Sequence, residues 1–311
     1  VPGVASTRLH GTGTATALSK RNDEVRCGMG RWFAVALVGV AGLLVFVATA
    51  GAPETAVAAD PLAPRTLGPG FEYGRWKLPV PSPLGDSTLR FVRFDPASVR
   101  LEVRAASLGD GRIRAARDWA RDDRVPVAVT NTSMFASDWL SSVGRLVVAG
   151  RAQREAWAAL QNSLLLADPV GAGPRARLAN LGCEDREQLA SGWKTQVQSI
   201  RMVGCDGANV WAQEARSWSS ALVGADRSGR ILFLHTRSPY TMHDLVDMLL
   251  ASPLDIVALH YGEGGPEASL YVRAAGFEEV NVGSFETGFV SDDANAQEWE
   301  LPNVVVAVGG G

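Results

Sequence analysis

Glu263-Gly264-Gly265-Pro266-Glu267 sets two carboxyl groups four residues apart in a glycine-proline turn. Two carboxyls facing one pocket suit the hydrolysis of a glycosidic bond, in which one acts as acid and the other as base or nucleophile around an oxocarbenium-like transition state. Glu263 is the candidate catalytic carboxylate, with Gly264 and Gly265 in the same candidate site. Glu267 has two readings, a second pocket carboxyl or the first-turn acid of a short helix, because Pro266-Glu267-Ala268 is also an ordinary helix start. Upstream, Asn131, Thr132 and Ser133 follow the apolar run Val127-Ala128-Val129. Their uncharged donors suit sugar hydroxyls or phosphate, with Asn131 orienting the reacting group, although such residues also bond their own backbone in turns. His235 and Arg237 are charge-assisted donors to an anion; the alternatives are a packed histidine and a solvated arginine. His235, His260 and Glu263 contain the types for a two-His, one-carboxylate metal site, but no close i, i+4 histidine spacing supports one, and neither metal nor cofactor is expected.

These groups need elements to position them. Asp226-Arg227-Ser228-Gly229 carries hairpin turn chemistry, so Leu222 to Ala225 and Ile231 to His235 are expected to pair antiparallel. Thr241 reads as an N-cap with Asp244 at N3, and Met242, Leu245, Val246 and Leu249 fall on one helix face. Ser252-Pro253 ends that helix, and Ile256-Val257-Ala258-Leu259 reads as a fully buried strand. The crossover predicts parallel strands, with His235 to Arg237 beside His260 to Glu267 at their carboxyl ends. Leu89 to Phe94 and Val99 to Ala105 alternate as strands and are expected to form a hairpin. Residues 113–121 predict a short helix, 125–129 a strand, and 146–148, 163–167, 197–203 and 304–308 further strands. The expected class is mixed α/β, a strand-rich mixed sheet flanked by helices.

The same residues resemble the phosphodiester glycosidase family. The family's hairpin of alanine, an apolar residue and glycine is similar to Ser220-Ala221-Leu222-Val223-Gly224. Its helix and buried strand leading to Asp-Gly-Gly-Gly-Ser are similar to the segment from Thr241 to Glu263-Gly264-Gly265. Its Asn-Gly-Gly-x-Phe loop resembles Asn131-Thr132-Ser133-Met134-Phe135, and Gln198-Ser199 stands where the family often has Gln-Ser-Gly-Pro. The resemblance spans roughly residues 85 to 308 and implies a sugar-phosphodiester hydrolase with Glu263 as catalytic carboxylate and Ser220 in the substrate site. Departures are the longer Glu263 for aspartate, Pro266-Glu267 for glycine and serine, Thr132 and Ser133 for smaller residues, and Ser219 where an arginine is usual, the nearest being Arg216. A catalytically inactive glycan-binding protein of the same fold is the alternative reading.

The chain has 311 residues, 30 Lys and Arg against 33 Asp and Glu, and a net charge of −3. Without a dense basic run in the folded part, nucleic acid is not an expected partner; a carbohydrate or sugar phosphodiester is. Lys20, Arg26 and Arg31 precede the apolar stretch 32–50, and Ala56-Val57-Ala58 or Val57-Ala58-Ala59 offers a cleavage site. That order predicts export, by a cleaved signal or by an uncleaved anchor that attaches the chain to the membrane. The expected divisions are an unassigned segment 1–28, the signal or anchor 29–59, a proline-rich linker 60–78 and one domain 79–308. In an exported chain Cys183 and Cys205 are most simply a disulfide closing a loop of about 23 residues, worth on the order of 3 kcal/mol, the alternative being two buried thiols.

Overall fold

The structure, a computed structural model, describes residues 62–310. The expected signal or anchor, 29–59, and the segment 1–28 fall outside the described residues. The described residues form three antiparallel sheets. The first sheet runs in the order Arg65–Gly68, Phe71–Lys77, Thr88–Phe94, Ile231–Tyr240, Trp218–Asp226, Ile256–Gly264. The second runs Phe277–Val282, Ser269–Ala274, Val127–Asn131, Asn303–Gly309, Val99–Ala105, and the third Arg151–Arg154, Leu146–Val148, Trp193–Ser199, Ser163–Pro169, Ala176–Asn180. The protein is therefore mostly β, not mixed α/β. The helices are short additions to sheets that mainly cover one another.

The first two sheets face each other across the main core, where Phe71, Phe94 and Phe233 meet Val103, Ala128 and Val305, and the third sheet adds Leu146, Leu165 and Val197. Helix Met242–Leu250 covers the opposite face of the first sheet with Met242, Leu245, Val246 and Leu249, packed against Leu222, Leu234 and Leu259. With both faces covered, every residue of Trp218–Asp226 is buried, so this strand reads as a continuous apolar and small-residue run rather than an alternation.

The hairpin forms as expected, with Leu222 opposite Leu234 and Ala225 opposite Ile231. The Thr241 side chain accepts from the Asp244 amide and starts the helix. The strand after the helix departs from expectation. Ile256–Gly264 does run parallel to Ile231–Tyr240, yet the two are not neighbours, because Trp218–Asp226 lies between them and pairs antiparallel with both. The outer edge of Ile231–Tyr240 is already occupied by Thr88–Phe94, so the returning strand takes the remaining open edge. Its position at that edge leaves Val257 37% exposed where full burial was expected.

Three further expectations are corrected. The linker before Leu78 contains two strands of the first sheet, with Phe71 and Tyr73 buried by the alternation that pairs Phe71–Lys77 with Thr88–Phe94. Thr88–Phe94 and Val99–Ala105 do not pair; the turn at Asp95 carries the chain from the first sheet to the second, so their apolar faces meet across the core. The helix expected over 113–121 shrinks to Ala116–Trp119, because Arg114 forms a bridge with Leu301 that holds the preceding backbone extended. Cys183 and Cys205 are joined as a disulfide. Among the described residues no helix is long and apolar enough to cross a membrane.

Candidate active site

Glu263 is the penultimate residue of Ile256–Gly264, and the strand is irregular where it arrives. Ala221 pairs with Glu263 but Leu222 pairs with Tyr261, so Gly262 is an extra residue, a bulge. Bulges re-aim side chains at strand ends. Gly262 has no room for a side chain: a Cβ there would lie 2.6 Å from the Ala221 carbonyl oxygen and 3.0 Å from that of Asn131. Glycine at this point lets strand Val127–Asn131 approach the strand that carries the carboxylate. The two loops singled out in the sequence therefore converge.

Both Tyr261 and Glu263 then border a cleft of about 580 Å³, within the usual range for small-ligand sites. Among the described residues that line it are four glutamates, Glu214, Glu263, Glu267 and Glu286, and one arginine, Arg216. Aromatic rings supply much of the remaining wall. Trp211 lies 5.4 Å from Tyr261 and 6.4 Å from Trp218, and Phe135 lies 5.1 Å from Trp139, centroid to centroid.

The Glu263 carboxyl is pushed up to about 8. Desolvation by burial is the main cause, and the carboxylates of Glu267 and Glu286 add to it, while the Gly264 amide, donating to Oε1 at 3.0 Å, opposes it. Glu263 thus carries a proton at neutral pH. Burial and Glu286 also raise Glu267. Gly265 sits at φ +68°, and a Cβ on it would meet Oε2 of Glu286 at 2.8 Å and Oε2 of Glu267 at 3.3 Å. Both carboxylates therefore reach the same stretch of backbone. Arg216 pairs with Glu286 at 3.0 Å and lies over the Trp218 ring at 5.4 Å.

Of the residues singled out by sequence, Glu263, Gly264 and Glu267 line the cleft, and Gly265 adjoins it. Glu267 does not start a regular helix, only the single turn Gly265–Glu267. Asn131 is 2% exposed and does not line the cleft. Its side chain instead fastens the acidic loop, Nδ2 donating to the Glu267 carbonyl at 3.1 Å and Oδ1 accepting from the Ser269 amide at 2.8 Å. Thr132 and Ser133 are buried behind it, Ser133 beside Ser142 at 3.1 Å. Ser220 is buried against the Trp218 carbonyl and Met242.

His235 and Arg237 also lie away from the cleft lining. Burial, with Arg90 nearby, lowers His235 to about 3, so the ring is neutral, and its Nε2 faces the Ala268 carbonyl at 3.2 Å. Arg237 is engaged by Asp293 at 2.7 Å and by the carbonyls of Val282, Asp293 and Asn295. His260 uses both ring nitrogens, toward Ser163 Oγ at 3.0 Å and the Thr132 carbonyl at 2.9 Å. Its burial lowers it to about 4. His235, His260 and Glu263 therefore do not assemble as a ligand set, and among the described residues no other group of three His, Cys, Asp or Glu does.

Sequence reasoning did not single out Glu214, Glu286, Trp139, Trp211 or Trp218, and it noted Arg216 only as the nearest arginine. Glu286 lies in an irregular stretch after Phe277–Val282 and reaches the cleft through a bridge to Trp218. No local pattern marks it. Nine tryptophans in the chain were an available signal.

A family model described as phosphodiester glycosidase matches residues 124–308. That is more than half of the chain, and the protein belongs to this family. Among solved structures, the catalytic domain of zebrafish N-acetylglucosamine-1-phosphodiester alpha-N-acetylglucosaminidase, auto-inhibited by its pro-peptide, superposes with a TM-score of 0.53. The identity is 13%, over 81% of this chain and 87% of that one, so the likeness is one of fold. A hypothetical protein from Synechocystis gives a TM-score of 0.49 at 13% identity, over 81% of this chain and 64% of that one. No protein of curated function matches in sequence.

Proposed function

We propose that the protein is an exported hydrolase that cleaves the bond between a sugar's anomeric carbon and its leaving oxygen, in a sugar phosphodiester or a related cell-envelope glycan. The observation that carries this reading is Glu263, a carboxyl that keeps its proton at neutral pH in a cleft shared with ionisable carboxylates. A carboxyl that its surroundings keep protonated near neutral pH is the pattern of a general acid. Glu263 gives its proton to the leaving oxygen as the C1–O bond breaks, and a water adds to C1, releasing the proton that restores the carboxyl. The carboxyl groups of Glu267 and Glu286 line the same cleft and face the positive charge that develops on the ring. The aromatic wall of Trp211, Trp218 and Tyr261 suits the apolar faces of a pyranose. Between the two substrate types, the cleft's charge favours an uncharged glycan, because its arginine is already paired with Glu286 and a phosphate would meet several carboxylates. Export is supported by the Cys183–Cys205 disulfide, a bond that persists in oxidising compartments, and by the order of residues in the leader.

The test is a screen of the protein and its Glu263→Gln variant against synthetic sugar-1-phosphodiesters and oligosaccharides, read as sugar release. Turnover by wild type that fades as pH rises through about 8 and is lost in the variant supports the assignment. Sugar binding without turnover by wild type replaces it with a glycan-binding role.

A further inference from the structure

Trp139 is at odds with its local environment. It is 42% exposed, and its backbone lies at φ +56°, the left-handed region that bulky residues avoid. Its segment is nevertheless firmly held. Oδ1 of Asp138 accepts from the amides of Leu140 at 3.0 Å and Ser141 at 2.9 Å, and Oδ2 accepts from Ser141 Oγ at 2.6 Å. The Trp139 amide donates to the Ala136 carbonyl at 3.0 Å, and the Ala136 amide returns a bond to Ser141. Strain maintained by surrounding bonds is characteristic of functional positions.

The ring is also oriented. It stacks on Trp299 with centroids 6.1 Å apart and planes 22° apart, and Phe135 braces it at 5.1 Å. Phe135 and Trp139 both border the cleft that holds Glu263. Phe135, Trp139 and Trp299 form a contiguous aromatic patch rimmed by a polar cleft, the kind of surface that marks a ligand site, and the cleft's excess of carboxyl groups over arginine disfavours anions.

We propose that Trp139, backed by Trp299 and Phe135, is a stacking platform for a second sugar ring, so that the protein recognises a chain of neutral sugars rather than a single one. This rests on the cleft being a sugar site but not on turnover. The hexose nearest Glu263 occupies the inner cleft between Trp211, Trp218 and Tyr261, and a neighbouring unit of the same chain lies on the Trp139 face.

The experiment measures binding to the Glu263→Gln protein, so that hydrolysis does not intervene. N-acetylglucosamine oligomers of one to five units, and the matching glucose series, are titrated by calorimetry and by tryptophan fluorescence. In the series that binds, affinity rises at least tenfold between one unit and five, with a change in emission on binding. Adding Trp139→Ala removes the rise and cuts the emission change for long oligomers back to that given by a single unit, while leaving single-unit affinity within twofold, and Trp139→Phe restores most of the rise. The proposal is overturned if affinity is flat with chain length, if Trp139→Ala binds the longer oligomers as tightly as its parent, or if neither series binds. Length-dependent binding with no turnover by wild type removes the hydrolase and leaves the platform. Turnover of single-sugar substrates with flat oligomer affinity does the reverse.

Discussion

Replacing Glu263 by Gln should make the protein more stable at neutral pH, and the gain should depend on pH in a way that only a half-buried, desolvated acid produces. In the folded chain this carboxyl titrates at about 8, against 4.5 ordinarily. Below 4.5 it is protonated whether the chain is folded or not, and contributes no difference. Between 4.5 and 8 the unfolded chain has lost the proton that the folded one keeps, so wild-type stability falls by about 1.4 kcal/mol per pH unit. Above 8 both forms are ionised and the penalty is constant. At pH 7 the accumulated cost is bounded by about 3 kcal/mol, and water entering the cleft reduces it to about half of that. Gln cannot ionise, and its amide oxygen still accepts from the Gly264 amide that Oε1 bonds now. Urea unfolding of both proteins at pH 4, 7 and 9 is the assay. The variant should match wild type at pH 4, exceed it at pH 7 and hold or widen its lead at pH 9. A difference independent of pH would refute the reasoning, since it would mean that Glu263 ionises as it does in the unfolded chain.

Asn131→Ala should lower stability by about 2–3 kcal/mol, because the buried Ser269 amide and Glu267 carbonyl lose their partner; urea midpoints measure this. The same variant should lower kcat more than it raises KM, since Asn131 fixes the loop and does not line the cleft. Arg237→Ala should destabilise by about 1–3 kcal/mol through the partly buried Asp293 and the carbonyls it releases. Sugar affinity should stay unchanged in calorimetry; a loss of affinity at unchanged stability would return Arg237 to the binding site.

What was legible in the sequence was what is local. The Asp226 turn, the Thr241 cap and the apolar face of Met242–Leu250 are each decided within a few residues, and each formed where expected. The acidic loop was legible for the same reason. Non-local pairing was not. A crossover helix ordinarily joins neighbouring parallel strands, and nothing near Ile256 says that the edge of Ile231–Tyr240 is taken by a strand more than a hundred residues earlier. Prolines at 61, 64 and 69 suggested a linker, but the alternation of Phe71 and Tyr73 won because it supplies two aromatic rings to the core. Polar residues misled in their own way. Arg237 and Asn131 have the chemistry of ligand contacts, and only the folded chain shows their donors already engaged by backbone carbonyls.

The arrangement also explains how an unfavourable carboxyl persists. An acid kept protonated beside two other carboxylates would relieve its energy if the loop opened to water. The strand that carries it is held against this from several directions. The His260 ring bridges Ser163 of the third sheet and Thr132, just past the end of a strand of the second. Ser199 Oγ donates to the Tyr261 carbonyl at 2.6 Å, and Gly262 lets the Asn131 backbone close over the bulge. These bonds gather all three sheets at the two or three residues before Glu263. His260 takes part as a neutral ring above its lowered pKa of about 4, so the clamp is intact throughout the range in which Glu263 holds its proton anomalously. The raised acid and the lowered base are thus two results of one cause, burial at the meeting of the sheets, and the first can be tolerated because the second leaves the clamp uncharged.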